Sequence, residues 1–204
     1  MLADVVAPTG YAVRGGPLAD DLRRYKSDRA DAAEAVAAAG RLRERLAAFL
    51  VEQGRSVWEA AGMTKGPEAV AVVPSGQGRS GTHPLVSVVR SCVGLPVLGL
   101  AVAAPEGHTR GVYPGWVRVA DRVDAAARVL NGADVLVVDD TWVSGGSAQS
   151  TAAALKLAGA RRVAVVVLGR HVNPADPRSA AFLEAIRAAG GAGGAWTGCG
   201  AGKP

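Results

Sequence analysis

Residues 135–147 read VLVVDDTWVSGGS, and this stretch decides the fold of the chain. Its apolar, mostly β-branched start predicts a buried strand over 134–139. Two adjacent carboxylates, Asp139 and Asp140, follow at the carboxyl end of that strand. A glycine-containing turn then leads into a segment that predicts a helix from about 145 to 157. The stretch is therefore predicted to present two acids and a glycine turn at one edge of a sheet.

The turn between this strand and this helix is suited to binding an anion. Gly145 and Gly146 let backbone N–H groups close around a phosphate, and the helix N-terminus adds partial positive charge. Ser144 and Ser147 supply hydroxyl donors. The two preceding acids would repel a bare phosphate, but carboxylates accept hydrogen bonds from a pair of sugar hydroxyls. Helix capping needs only one short polar residue, so it does not explain two acids, whereas a ribose 5-phosphate group does.

Strand-length apolar runs and helical segments alternate along the rest of the chain. Such an alternation predicts an α/β fold in three layers, with a mostly parallel central sheet covered on both faces. The predicted strands are 69–73, 96–103, 116–119 and 162–168, and the predicted helices are 18–25, 28–53, 84–93 and 179–189. Within the long helix 28–53, Asp28 is predicted as the cap and Gly54 as the end.

The predicted chain is one domain with three regions. They are an amino-terminal helical hood (1–66), an α/β core (67–190) and a flexible Gly-rich tail (191–204). Ligands of parallel sheets bind beyond the carboxyl ends of the strands. The loops predicted at that edge are 74–82, 104–115 and 139–147.

Bulk composition excludes several classes of function. The 204 residues are 49% apolar and 20% charged, with a formal charge of +5, so a folded core and phosphorylated partners are both expected. No basic run is interleaved with aromatic residues, so nucleic acid is not an expected partner. Cys92 and Cys199 provide neither a metal cluster nor a disulfide framework. Without a secretory signal or a bilayer-length apolar run, a cytoplasmic location is expected and a membrane partner is not.

The acidic strand end and its turn resemble a known motif. A hydrophobic strand, Asp139-Asp140 and the turn 144–147 are similar to the phosphoribosyl-pyrophosphate (PRPP) motif of type I phosphoribosyltransferases. Residues 148–170 continue the resemblance, which is strongest to the ComF-like, amidophosphoribosyltransferase-like branch. The other segments that resemble this branch are 11–16, 22–26 and 72–75. Val143 replaces a hydroxyl residue frequent in the family, and no CxxC pairs precede Tyr11, so the zinc ribbon of many ComF relatives is missing.

The resemblance implies transfer of the 5-phosphoribosyl group of PRPP to a nitrogen nucleophile, with release of pyrophosphate. It implies catalytic roles for Asp139 and Asp140, which would hold the ribose hydroxyls and offset positive charge on the sugar. The implied cofactor is Mg²⁺, carried by PRPP, with these two carboxylates as the only candidate protein ligands. The implied 5-phosphate loop consists of Val143, Ser144, Gly145, Gly146 and Ser147. A small-molecule acceptor and a homodimer are implied as partners.

The resemblance implies that two other loops bind the pyrophosphate. The candidate residues for this contact are Ser75, Gly76 and Arg79 in the loop after the strand 69–73, and Arg110 in the loop 104–115. That second loop corresponds to a lid that closes over PRPP and excludes water, and His108 is a weaker candidate within it. Weaker still are Arg24 and Lys26. For contact with the acceptor, Trp142 is the candidate, ahead of Tyr11 and His171.

Two alternatives stay open. Residues 76–81 form a GxGxxG pattern between a strand and a helix, which is typical of dinucleotide binding, but residues 95–104 lack the acid expected about 20 positions later. A non-catalytic regulator of the same fold, sensing PRPP or a nucleotide, fits the departure at Val143 and the missing zinc ribbon. Neither a GxSxG elbow nor a GxxxxGK[ST] loop is present, and the three histidines lack metal-ligand spacing.

Overall fold

The computed structural model describes residues 1–27, 30–75, 83–103, 111–119 and 130–188. Its strands are β1 (Val5–Pro8), β2 (Tyr11–Val13), β3 (Ala69–Val72), β4 (Val97–Leu98), β5 (Leu100–Val102), β6 (Val117–Val119), β7 (Asp134–Trp142) and β8 (Arg162–Val172). Its helices are α1 (Pro17–Arg24), α2 (Ala32–Ala60), α3 (Pro84–Cys92), α4 (Gly146–Leu157) and α5 (Pro177–Ala188). A short 3₁₀ turn, Pro114–Trp116, precedes β6.

The main sheet is parallel throughout the described residues. Its strand order is β1-β8-β7-β3-β4, and β2 pairs with a later part of β8. The longest pairing joins β7 and β8, from Asp134 opposite Arg162 to Trp142 opposite Arg170. A separate antiparallel pair is formed by β5 and β6. The predicted α/β class with a mostly parallel central sheet is confirmed.

Helices cover both faces of this sheet. Alternate residues of the strands point to opposite faces, so Leu136 and Val138 join one core cluster while Val135 and Val137 join another. The first cluster contains buried residues of α1, α2 and α3, and the second contains those of α4. This arrangement gives the predicted three layers and explains why the central strands are apolar at every position.

The amino-terminal region differs from its prediction as a helical segment. Val5–Pro8 and Tyr11–Val13 form strands that extend the main sheet along β8. These strands were missed because runs of three or four residues give too short a pattern for periodicity to identify. Pro8 is tolerated because β1 lies at the edge of the sheet. The tail predicted at 191–204 lies outside the described residues.

Two predicted helix boundaries of α2 were also wrong. The cap is Asp31, whose side chain accepts a hydrogen bond from the Ala33 amide, and the helix begins at Ala32. It continues through Gly54 to Ala60. The Trp58 ring lies 3.4 Å from the position that a Cβ of Gly54 would occupy, so this glycine makes room for packing and does not end the helix.

The strand predicted at 96–103 divides into two. Val97–Leu98 pairs with β3, whereas Leu100–Val102 pairs with β6 in the second sheet. The chain leaves the main sheet between these strands, at Gly99. No helix in the described part of the chain has both the length and the apolarity to cross a membrane.

The sheet topology places two loops side by side. β3 and β7 run parallel, with Val72 opposite Val138, so the chain leaves both strands at the same edge. The loop that follows β3 begins at Val73, and the loop that follows β7 leads into α4 at Gly146. The start of the loop after β3 and the turn after β7 therefore lie next to each other.

Candidate functional site

A cavity of about 290 Å³ opens at the carboxyl ends of β3 and β7. It is bordered by the end of β7, by the turn into α4, by the start of the loop after β3 and by single residues from the amino-terminal region and α3. The lining residues are Lys26, Val73, Pro74, Ser75, His83, Asp139, Asp140, Thr141, Val143, Ser144, Gly145, Gly146 and Ser147. The segment singled out in the sequence thus forms most of the wall of one cavity.

Gly145 shapes the turn into α4. It is the N-cap of the helix and has a left-handed backbone, with φ of +78°. A Cβ at this position would lie 2.1 Å from Cζ2 of Trp142, so the indole ring occupies the space of a side chain. Both the backbone angle and the contact require glycine. The conformation of the turn therefore depends on glycine at position 145 and on the packing of the Trp142 ring against it.

The amino end of α4 faces the cavity. Amides in the first turn of a helix have no acceptor within the helix, and the aligned peptide dipoles make this end positive. Gly145 accepts a hydrogen bond from the Gln149 amide at 2.9 Å, and the Thr151 hydroxyl donates to the Ser147 carbonyl at 2.9 Å. These bonds fix the first turn. The geometry suits an anion that accepts several backbone hydrogen bonds.

Asp139 is held mainly by the backbone. It is 9% exposed, and its Oδ1 accepts a hydrogen bond from the Asp140 amide at 2.9 Å. Burial, together with the negative charge of Asp140, raises the pKa of Asp139 to about 7. Near neutral pH this carboxyl can therefore either accept or donate a hydrogen bond.

Asp140 is held by side chains from the amino-terminal region. Its Oδ2 accepts hydrogen bonds from Tyr25 Oη at 2.5 Å and from Lys26 Nζ at 2.9 Å. Burial opposes its ionisation, but the charge of Lys26 and these two hydrogen bonds lower the pKa of Asp140 below its usual value. The neighbouring acids therefore differ: Asp140 is a carboxylate at neutral pH, while Asp139 is close to its midpoint.

The amino end of α4 and the two acids place hydrogen-bond donors and carboxyl groups side by side in the cavity. One part of the cavity presents backbone N–H donors and partial positive charge, and the adjacent part presents two carboxyls of different protonation. A phosphate fits the first part, and a vicinal diol, which both donates and accepts hydrogen bonds, fits the second.

The cavity offers carboxyl groups as possible metal ligands. Within the ranges that the structure describes, no three His, Cys, Asp or Glu side chains are grouped as a metal site. Asp139 and Asp140 are the carboxyls of the cavity. Because Mg²⁺ commonly binds through one or two carboxylates plus ligand phosphates and water, this donor set fits a cation that arrives with a phosphorylated ligand.

All of the predicted 5-phosphate and catalytic residues lie together in the cavity. They are Asp139, Asp140, Val143, Ser144, Gly145, Gly146 and Ser147, and Ser75 joins them from the neighbouring loop. The predicted pyrophosphate residues Gly76, Arg79 and Arg110, like His108, lie outside the described residues. Their roles stay predictions.

Trp142 has a different location from the one its predicted role suggests. It is absent from the cavity lining, and its ring packs on Gly145 and against the core cluster beneath α4. Tyr11, a weaker candidate for acceptor contact, packs edge to face with Phe182, with ring centroids 5.0 Å apart. These contacts are packing contacts, and contact with an acceptor stays a prediction for both residues.

Sequence reasoning assigned no site role to Tyr25, His83 or Thr141, and it assigned Lys26 only a weak one. Tyr25 was noted only as part of a resemblance, Lys26 only as a weak pyrophosphate candidate, and His83 was set aside for lack of metal-ligand spacing. In the structure His83 is the N-cap of α3, where its Nδ1 accepts a hydrogen bond from the Leu85 amide at 3.1 Å. Its position before Pro84 at a helix start was the available signal. No local signal indicates that Tyr25 contacts Asp140.

Comparisons with known proteins give structural neighbours alone. No family model matches the chain. No curated protein matches it either. Among solved structures, a purine phosphoribosyltransferase from Pyrococcus horikoshii is 16% identical, with 68% of this chain and 89% of that chain covered and a TM-score of 0.38. An orotate phosphoribosyltransferase of Mycobacterium tuberculosis, in complex with PRPP, is 21% identical, with 86% and 82% covered and a TM-score of 0.35. Both TM-scores are below 0.5, so neither neighbour assigns a function to this chain.

Proposed function

We propose that this chain is a type I phosphoribosyltransferase, which binds PRPP with Mg²⁺ and transfers the 5-phosphoribosyl group to a nitrogen nucleophile. One observation carries the proposal: the buried Asp139–Asp140 pair and the amino end of α4 line the same cavity. The motif that they form resembles the PRPP motif of that family. The proposed acceptor is a nucleobase or another small amine.

The proposed ligand position follows from charge and donors. The 5-phosphate would accept hydrogen bonds from the first-turn amides of α4 and from the hydroxyls of Ser144 and Ser147. The ribose hydroxyls would then meet Asp139 and Asp140, which immediately precede the turn. A phosphate with no sugar would offer the two carboxyls no hydroxyl to bind, and a free sugar would leave the helix end without its anion.

The proposed reaction breaks the bond between C1 of ribose and the pyrophosphate oxygen, and it forms a bond from C1 to nitrogen with inversion. The bonding electrons leave with pyrophosphate, and the nitrogen releases a proton. Positive charge develops on the sugar as the first bond breaks. The carboxylate of Asp140 would offset this charge, and both acids would hold the hydroxyls in place.

The remaining parts of the proposal concern the pyrophosphate, the cofactor and assembly. Pyrophosphate would bind Ser75, Gly76 and Arg79, with Arg110 arriving on the lid. Mg²⁺, when bound, would neutralise charge on the leaving group. Asp139 and Asp140 are the candidate protein ligands for it, and PRPP would supply most of its oxygens. We further propose a homodimer.

Calorimetric titration tests the donor first. PRPP with Mg²⁺ should bind, and ribose and NAD⁺ should not. Asp139→Asn and Asp140→Asn should weaken PRPP binding, whereas the matched control Asp134→Asn, at the opposite end of β7, should leave it unchanged. Failure of PRPP to bind the wild-type protein, or NAD⁺ binding in its place, would overturn the proposal and in the second case favour the dinucleotide alternative.

Pyrophosphate release then tests catalysis against a panel of nucleobases and amines. Release that requires one acceptor and disappears in Asp140→Asn supports the enzyme. A specific observation keeps the regulator as a second candidate: Val143, which is 71% exposed in the phosphate turn, offers no hydroxyl donor. PRPP binding without release across the panel would favour that candidate.

A further inference from the structure

We propose that Tyr25 is a positioning residue for Asp140, so that recognition of the sugar depends on the amino-terminal helix α1. The inference rests on the proposed ribose 5-phosphate site. It adds a residue that the motif does not contain and that lies 115 positions away from Asp140 in the chain.

Tyr25 is fixed at both ends of its side chain. Its ring belongs to the core cluster between the sheet and α1 to α3, and the residue is 5% exposed. Its hydroxyl donates to Asp140 Oδ2 at 2.5 Å. A buried aromatic ring has few positions open to it, so the hydroxyl is a fixed donor that determines where this oxygen lies.

The second donor reaches the same oxygen. Lys26 Nζ lies 2.9 Å from Asp140 Oδ2, and among the described residues no donor reaches Oδ1. Two donors on one oxygen orient the carboxylate plane and turn its other oxygen away from them. We infer that Oδ1 is the atom presented to a sugar hydroxyl.

The docking of α1 determines where Tyr25 lies. Leu22 packs so closely on β8 that a Cβ at Gly169 would lie 2.5 Å from its Cδ1. Asp21 forms a bidentate ion pair with Arg41 of α2, with distances from 2.6 to 3.1 Å. Asp139, in contrast, takes its hydrogen bond from the backbone of its own strand. Of the two acids, only Asp140 is positioned by a distant segment.

Tyr25→Phe tests the proposal, because phenylalanine retains the ring and removes only the hydroxyl. Calorimetry should compare inorganic phosphate with ribose 5-phosphate, so that the sugar contribution is the ratio of the two affinities. The variant should lose about ten- to hundredfold in ribose 5-phosphate affinity, as expected for a hydrogen bond to a charged group, and should bind phosphate as the wild type does. The control Asp20→Asn removes an exposed ion pair with Arg23 inside α1 and leaves the docking contacts of the helix and the Tyr25 hydroxyl in place, so it should retain the ratio.

Each outcome separates this inference from the proposed function. If the wild-type protein binds ribose 5-phosphate no better than phosphate, the proposed site itself is wrong. If the wild-type ratio is high and Tyr25→Phe preserves it, or if Asp20→Asn reduces it equally, Tyr25 does not position Asp140. A double-mutant cycle guards against a general loss of folding: in an Asp140→Asn background, Tyr25→Phe should have almost no further effect on the ratio.

Discussion

The two ends of β7 both bury acids but use them differently. At the amino end, Asp134 is 1% exposed and receives two hydrogen bonds from the Arg161 guanidinium, at 2.9 and 2.7 Å. At the carboxyl end, Asp139 and Asp140 are adjacent, line a cavity and share one neighbouring lysine. Burial of a carboxyl alone therefore does not indicate a binding site. Among the described residues, the distinguishing features are two acids close together, one lysine near both of them, and open space beside them.

The largest expected difference between the two ends is in ligand binding. Asp140→Asn should weaken PRPP binding by about 100-fold or more, because it removes the charge that faces the sugar and changes the bonds to Tyr25 and Lys26. Asp134→Asn should change the affinity less than about threefold. Calorimetry on both variants measures this contrast, and equal losses would mean that the variants act through general destabilisation.

A substitution at Gly145 should break the turn beside the acids. Gly145→Ala places a methyl group 2.1 Å from a Trp142 ring atom and forces a left-handed angle on alanine. We expect a loss of about 2–4 kcal/mol in the free energy of unfolding, together with loss of phosphate binding. Chemical denaturation measures the first quantity.

Gly132→Ala is the matched control for that substitution. Gly132 has a similar φ of +75°, and no atom lies within 4 Å of the position of an added Cβ. Only backbone strain should remain, about 1–2 kcal/mol, with ligand binding unaffected. If both variants lose the same stability, the contact between Gly145 and Trp142 is unimportant.

Replacing Asp139 should stabilise the ligand-free protein at neutral pH. The folded-state pKa of about 7 lies above the unfolded value of about 3.9, so the folded chain holds more protons between these pH values. Stability therefore falls as the pH rises from about 4 to 7. Asp139→Asn removes this loss and should gain about 1–4 kcal/mol at pH 8, with the gain vanishing near pH 4.

Denaturation at several pH values checks that prediction. The comparison variant is Asp134→Asn, which removes an ion pair and should lower stability at pH 8. A destabilised Asp139→Asn at pH 8 would mean that Asp139 is ionised without penalty in the folded protein, contrary to the account of the two ends.

The smallest expected effect is a gain of affinity at the exposed Val143. Val143→Thr restores a hydroxyl at the phosphate turn and should tighten phosphate binding about two- to fivefold, the value of one modest hydrogen bond. The control is Val36→Thr at an exposed position of α2, and it should leave the phosphate affinity unchanged. No gain in the first variant would mean that this position does not face the phosphate.

The strand β7, the start of α4 and the position of the two acids between them could be predicted because they lie in one continuous stretch of sequence. β7, the turn and α4 lie within residues 134–157. In this stretch the apolar pattern determines the strand and the glycines determine the turn, and both effects depend only on neighbouring residues. The parallel sheet followed from strands that are apolar at every position. These features required no knowledge of distant contacts.

Contacts between distant segments explain what was missed. Tyr25 reaches Asp140 only because α1 docks beside β8, and no periodicity within residues 17–26 reveals that docking. Similarly, Gly54 was taken as a helix end, since nothing in the local pattern shows that Trp58 covers it. The edge strands β1 and β2 depend on pairing with β8 and are too short to be identified alone.

A crystal structure with ribose 5-phosphate would test the central claim most directly. We expect phosphate oxygens within hydrogen-bond distance of the backbone amides at the start of α4, and ribose hydroxyls within hydrogen-bond distance of Asp139 and Asp140. A phosphate bound elsewhere, or a sugar turned away from both carboxyls, would contradict that claim.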